Sequence, residues 1–369
     1  MKEKKKIWSI YTRLFHVMLI TAVVMSYVTS DQENQLTSHV LVGYIVALLI
    51  SFRIVWGFLR VQCSEHQDLI KKVPLLGIYL QNYFSNDKLV YMGHNPASSL
   101  YVLLIMFLLI LVTLSGSLLY GIQENYGIFS SLNTHYSDWM LAVEAFHNIS
   151  TTILLVLLIS HVIGVILNLI FNGSDVLQAM VTGKKVGTSY DVTLSIKQHI
   201  FGAIWIASVI SLATYFYYNP DNILTEDKNE EISFRSESYE TSSSCGSCHM
   251  VYPAYLLPER SWNKMMDNLE HHFGKDASLP AEEVQIIRDY LVNNAAEHST
   301  KEAAVKILDR LEDKTPDAIT ETAYWKERHK DITKEQFEED YGIKSDCRTC
   351  HKSIRDGLIQ DEQIKFKYW

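Results

Sequence analysis

Two short strings in the sequence can do covalent chemistry: Cys245-Gly246-Ser247-Cys248-His249 and Cys347-Arg348-Thr349-Cys350-His351. Two thiols three positions apart, followed at once by an imidazole, form the attachment pattern of a c-type haem. The thiols add to the porphyrin vinyl groups and the histidine binds the iron. The covalent link lets a small domain hold a large flat cofactor without a deep pocket. A redox-active Cys-x-x-Cys has no need of the trailing histidine, and here both copies carry one. Zinc suits the strings less well, because so long a stretch separates the two thiol pairs. Cys63 is the only other cysteine, which excludes a disulfide scaffold.

A second set of candidates lies in apolar surroundings. His16, His39, His147 and His161 sit in or at the edge of long hydrophobic runs, where an ionisable side chain is costly and usually functional. On one helix, His147 and His161 would share a face about 21 Å apart along the axis. That spacing suits two haems stacked in one bundle, each held by histidines from facing helices.

The elements that would position these residues follow from composition. The chain has 369 residues, of which 48% are hydrophobic and 20% charged. The charges divide unevenly. Residues 1–218 hold 13 Lys and Arg against 11 Asp and Glu, a net of +2; residues 219–369 hold 20 against 31, a net of −11. Five stretches are long and apolar enough to cross a bilayer: 8–29, 39–59, 100–122, 141–171 and 200–218. A soluble single-domain enzyme, a disordered chain and a basic nucleic-acid binder are thereby excluded. The first run is too long for the apolar part of a signal peptide and no small-x-small site follows it, so it reads as an uncleaved span.

Every basic loop falls on one side. Lys2, Lys4, Lys5 and Lys6 precede span one; Arg60, Lys71, Lys72 and Lys88 lie between spans two and three; Lys184, Lys185 and Lys197 lie between spans four and five. The other loops, around Asp31 and Glu33 and around Glu124 and Asp138, have neither Lys nor Arg. The positive-inside rule then puts the N-terminus in the cytoplasm and residue 219 onward outside. It also pairs the histidines by depth. His16 lies about 12 Å from the cytoplasmic end of span one and His161 about 16 Å from that of span four. His39 and His147 both lie near the outer face. The expectation is one haem on His16 and His161 and another on His39 and His147.

Arg13-Leu14-Phe15-His16, His39 with Gly43, the string Arg53-Ile54-Val55-Trp56-Gly57-Phe58, and Gly93-His94-Asn95-Pro96 resemble the bacterial cytochrome b561 and nickel–iron hydrogenase b-type cytochrome family over about residues 8–172. The resemblance implies that His16, His39, His147 and His161 hold two b haems and that quinone is the lipid-phase partner. Arg13 and Arg53 are the cations available for haem propionates, although Arg13 is equally able to snorkel to the headgroups. His66, His94, His135 and His199 fall in loops or at helix ends and are weak ligand candidates.

After span five, residues 219–244 carry seven acidic and two basic residues and read as a flexible tether. Beyond them, residues 261–271, 281–298 and 302–312 show helical periodicity. Each c haem still needs a sixth ligand. His271, His272, His298 and His329 are the nearby imidazoles, and Met250, Met265 and Met266 also qualify on chemistry. The strings Cys-Gly-Ser-Cys-His-Met-Val-Tyr-Pro from Cys245, Leu256-Leu257-Pro258, Ser261-Trp262, His272-Phe273-Gly274 and Trp325 with His329 resemble the periplasmic dihaem cytochrome c family over about residues 243–362. That resemblance implies bis-histidine iron, with His272 serving the first haem and His329 the second. His298 reads as a solvated surface residue.

The expected fold is all-α: a four-helix transmembrane dihaem bundle (1–198), a fifth transmembrane helix (199–218), the tether (219–244) and a small helical dihaem c-type domain (245–369). The cofactors would be two haem b and two covalently attached haem c. The expected function is electron transfer in a bacterial inner membrane, between quinol or quinone in the bilayer and a soluble periplasmic redox protein. Bis-histidine iron has no open position, which favours this over ligand activation. Two alternatives are a quinone-linked oxidase of a small reductant such as superoxide, and a membrane anchor subunit of a hydrogenase or reductase. The appended c domain argues against the first, because quinone alone would complete that reaction.

Overall fold

Apolar runs in lipid can satisfy their own backbone by coiling, and five of them do so. The computed structural model describes residues 4–30, 35–83, 91, 93–133, 137–172, 176–186, 191–228, 238–333, 335–336, 346–359 and 364. Lys2, Asp31, Glu33, Lys88, His135 and residues 229–237 of the tether lie outside them. Among the described residues, the helices long and apolar enough to span a membrane are α1 (Ile10–Thr29), α2 (Leu36–Phe58), α3 (Pro96–Glu124), α4 (Ser137–Asn172) and α5 (Ile196–Tyr218).

Helices α3, α4 and α5 begin about one turn before their apolar runs. Polar caps, invisible to hydropathy, set two of these starts. Pro96 opens α3 behind the Asn95 side chain, which accepts from the Ser98 amide at 2.8 Å. Ser195 and Gln198 form a reciprocal capping box at the start of α5, satisfying two otherwise orphaned amides.

The chain divides into two compact units. The first comprises residues 1–31, 37–119 and 142–225. Its core draws on all five spans: Phe15 and Ala22 from α1, Phe52 and Trp56 from α2, Leu109 from α3, Leu154 from α4 and Val209 from α5. Trp56 is fully buried and donates its indole N–H to the Thr12 hydroxyl at 3.2 Å. Span five is part of this core and no mere appendage. Phe201 stacks on Phe52 and on Trp56, with ring centroids 6.0 and 6.2 Å apart, and Trp205 packs beside them. Gly202 permits the approach, since a Cβ there would stand 2.6 Å from the Tyr11 ring.

At one end of this unit the basic segments gather. Lys4–Lys6 pairs antiparallel with Lys184–Val186, the Ile7 amide donates to the Gly183 carbonyl at 2.7 Å, and Lys185 Nζ donates to the Tyr91 carbonyl at 2.9 Å. The N-terminus, the loop before α3 and the loop after α4 therefore meet.

The second unit comprises residues 32–36, 120–141 and 226–369. Its short helices are α6 (Tyr239–Ser244), α7 (Glu259–Met266), α8 (Ala281–Asn293), α9 (Glu302–Asp309) and α10 (Ala323–Arg328). Three of these overlap the periodic stretches of the sequence but are shorter than them, because each gives way to a turn at its C-terminal end, followed after the first two by a 3-10 segment. One cluster packs Trp262, Met266, Ile287 and Leu291 around Ala254 and Leu257. A second packs Tyr255 and Leu256 against Ala303, Ala304 and Ile307. The Tyr255 hydroxyl donates to the Gly357 carbonyl at 3.0 Å, which ties the chain after the second Cys-x-x-Cys-His string to the chain after the first. The tether, expected to be flexible throughout, is structured at both ends. The Gly127 amide donates to the Glu226 carbonyl at 2.9 Å and the Lys228 amide to the Asn125 carbonyl at 3.1 Å. Its last six residues form α6, capped by Ser238.

Candidate functional site: four histidine pairs

In the first unit, four histidines come from three helices. His16 on α1 lies within electrostatic reach of His161 on α4, and His147 on α4 within reach of His39 on α2. These are the pairs that depth had joined. His39 donates from Nδ1 to the Ser26 carbonyl at 2.8 Å, which leaves Nε2 with its lone pair. His147 Nδ1 meets the Ser115 hydroxyl at 3.0 Å. Partners of this kind fix the tautomer and ring direction of a metal-binding imidazole. Gly43 stands one turn after His39 and Gly164 one turn after His161, and no neighbouring segment comes within 4 Å of where a Cβ would be at either. Gly116 does the opposite on α3: a Cβ there would meet the His147 ring at 2.8 Å, so its absence lets α3 carry Ser115 up to that ring.

Arg13 is half-buried. Its Nη1 donates to the Val181 carbonyl and its Nε is buried without a partner. Arg53 is buried and donates Nη1 to the Ser64 carbonyl at 3.0 Å. Near it is a histidine that loop position had made look unimportant. His94 packs edge-on against Trp8, with ring centroids 4.9 Å apart, and bonds to the Cys63 backbone. Its Nδ1 is enclosed without a partner. Burial, followed by the charges of Arg53 and Lys72, pushes its pKa down to about 3, so the ring is neutral at any physiological pH. The signal in the sequence was Gly93-His94-Asn95-Pro96, whose position gives no hint of burial. His66 and His199 stand apart, bonded to the Ile54 carbonyl and the Tyr11 hydroxyl respectively.

In the second unit the two Cys-x-x-Cys-His strings each begin as a 3-10 turn, which puts both thiols and the imidazole on one short loop. Cys245, Cys248, Cys347 and Cys350 are all free thiols. Burial pushes the thiols of Cys245 and Cys350 up and that of Cys347 to about 11. A redox dithiol is helped by a lowered thiol pKa, which none of these three has.

Each string's histidine has an imidazole opposite it. The rings of His249 and His272 lie 6.1 Å apart by centroid, 21° from parallel. Those of His329 and His351 are also 6.1 Å apart, at 63°. An iron between two imidazoles, with metal–nitrogen bonds of about 2.0 Å and ring radii of about 1.1 Å, requires a centroid separation of roughly 6 Å. The fold thus leaves room for one metal ion between the rings in both places. His249 donates from Nδ1 to the Met250 carbonyl at 2.6 Å and His329 from Nδ1 to the Trp325 carbonyl at 2.8 Å, and each keeps Nε2 for a metal. Burial, with His249 adding to it, holds the His272 pKa below the ordinary value. Burial lowers that of His329, and burial with His329 and Arg328 pushes that of His351 to about 4. All three are neutral near pH 7, the form that binds metal.

Four of the competing sixth-ligand candidates go elsewhere. His271 is exposed and bonds to the Asn268 side chain at 3.2 Å. His298 pairs on the surface with Glu259 at 2.6 Å. Met265 and Met266 pack in the hydrophobic cluster. The turn at Phe273 and Gly274, both at positive φ, swings the chain so that His272 and not His271 faces His249.

The family model of prokaryotic cytochrome b561 matches residues 7–183 and that of dihaem cytochrome c matches residues 241–358. Among solved structures, a diheme cytochrome c from Rhodobacter sphaeroides is 38% identical, with a TM-score of 0.30, covering 33% of this chain and 95% of that one. A diheme cytochrome type c from Shewanella baltica is 31% identical, with a TM-score of 0.29, covering 37% of this chain and 97% of that one. No curated protein matches the chain. The protein therefore carries a prokaryotic cytochrome b561 domain over residues 7–183 and a dihaem cytochrome c domain over residues 241–358, and it is a multi-pass transmembrane electron-transfer cytochrome whose cofactors are haem b and haem c.

Proposed function

We propose that the chain carries electrons between quinol in the bilayer and a soluble redox protein outside the cytoplasm, through two haem b and two haem c. Haem supplies a one-electron couple at each of four sites. The observation that supports this reading is the pairing of eight histidines: His16 lies within electrostatic reach of His161 and His147 of His39 in the first unit, and the rings of His249 and His272 and of His329 and His351 lie opposite each other in the second. Two imidazoles held at each iron would leave it no open position, which suits electron transfer. Cys245 and Cys248, and Cys347 and Cys350, would anchor the two c haems. Arg13 and Arg53, each with donors to spare at the basic end of the bundle, would receive propionates of the inner b haem. The positive-inside rule places that end in the cytoplasm of a bacterial inner membrane and the c domain in the periplasm.

A pyridine haemochrome assay on the purified protein should give two b and two c haems per chain. His161→Ala should lose one b haem and keep both c haems. Retention of both b haems in that variant would refute the pairing. A soluble menaquinol analogue should reduce the b haems before the c haems, and the reverse order would show that electrons enter elsewhere.

A further inference from the structure

The two imidazole pairs of the second unit have one separation but different angles. His249 and His272 lie 21° from parallel, whereas His329 and His351 cross at 63°. Ring angle matters to iron electronically. Each imidazole donates π density through the orbital normal to its ring. Parallel rings both donate into one iron d orbital and split it from its partner, while crossed rings serve one orbital each and leave the two nearly degenerate.

The crossed pair has a visible cause. The indole of Trp325 lies on the face of His329, with centroids 4.3 Å apart and planes 14° from parallel. The same residue's backbone carbonyl accepts from His329 Nδ1 at 2.8 Å. Helix α10 starts on a Thr322 cap whose hydroxyl accepts from the Trp325 amide at 3.2 Å, and His329 follows four residues later at the helix end. Face and edge of the His329 ring are thus both held by one residue. Among the described residues no neighbour outside its own pair lies flat on His272, which meets Phe273 edge-on at 4.9 Å and 79°.

We propose that Trp325 is a positioning residue that fixes the His329 ring across that of His351, making the two c haems electronically unlike. The first is an ordinary rhombic low-spin centre. The second is a strongly anisotropic one, more readily reduced than it would be with parallel rings, because crossing removes the orbital splitting that stabilises the ferric state. This inference rests on the assignment of the two pairs as axial ligands.

The test is low-temperature electron paramagnetic resonance of the oxidised full-length protein, wild type and Trp325→Leu. Signals of the b haems are common to both samples and cancel in the difference. Trp325→Leu should lose one low-field feature and gain a rhombic set, with the covalent haem count and low-spin optical spectrum unchanged and one c-haem potential lowered. Trp325→Phe, which keeps a flat ring at the site, should retain the low-field feature. A difference spectrum without that feature overturns the proposal. So does conversion of one c haem to high spin in Trp325→Leu, which would mean that the indole holds the ring on the iron and not its plane. His329→Ala tests the ligand assignment by itself, since it should turn one c haem high-spin whatever the ring angle.

Discussion

Adjacent histidines show how finely the second unit selects its chemistry. His271 and His272 are chemically identical, yet only His272 faces His249, because the chain reverses at Phe273 and Gly274. His272→Ala should leave the covalent attachment at Cys245 and Cys248 intact and convert one of two c haems to a high-spin, five-coordinate spectrum. His271→Ala should leave both low-spin, and optical spectroscopy near the high-spin charge-transfer band separates the two outcomes. At this scale the sequence was informative about residue type and less so about surroundings. The thiols and proximal histidines are local strings and were readable. The membrane histidines stood out too, because ionisable side chains are rare in apolar runs, and helix rise with loop charge gave each an expected depth. The enclosure of His94 and the bond from Arg13 to the Val181 carbonyl depend on residues 53, 63, 72 and 181, so no local pattern carries them. Neither does the angle between His329 and His351, which is set by a rotamer.

Hydropathy located each span, but it could not say which faces meet. Helix α5 illustrates the difference. Its length and apolarity mark it as a span, while its role in the bundle comes from Phe201 and Trp205 lying on one side and meeting Phe52 and Trp56. An apolar run looks the same whether it faces lipid or protein. The family match stops at residue 183, so α5 closes the bundle with contacts of its own. Gly202 is the test of that closure. Gly202→Leu places a side chain where the Tyr11 ring lies. Overpacking of this kind costs about 1–3 kcal/mol, which for a unit of this size lowers the melting temperature by roughly 2–12 °C. Thermal loss of the b-haem Soret band in detergent measures it; an unchanged melt would mean that α5 rests only loosely on α1.

Across the whole chain, charge is partitioned. The first 218 residues have a net charge of +2 and the remaining 151 one of −11. A field of one sign raises the association rate of an oppositely charged partner by about ten- to a thousandfold at low salt, and it fades as the Debye length falls from about 30 Å at 0.01 M to about 10 Å at 0.1 M. Electron transfer from the reduced protein to a basic soluble cytochrome should therefore slow by about tenfold or more over that salt range. Transfer to an acidic cytochrome should hold steady or quicken. Stopped-flow mixing at several salt concentrations checks both, and equal salt dependence for the two partners would argue that docking is not steered.

The pairing of Lys4–Lys6 with Lys184–Val186 has a bearing on biogenesis. A ribosome must make residue 186 before the first strand can find its mate, and by then α1 to α4 have all been synthesised. The leading lysines thus stay unlatched while most of the bundle enters the membrane, and their clasp is among the late steps. A bulky fusion at the amino terminus should accordingly hinder that clasp before it disturbs His16, which sits deeper along α1.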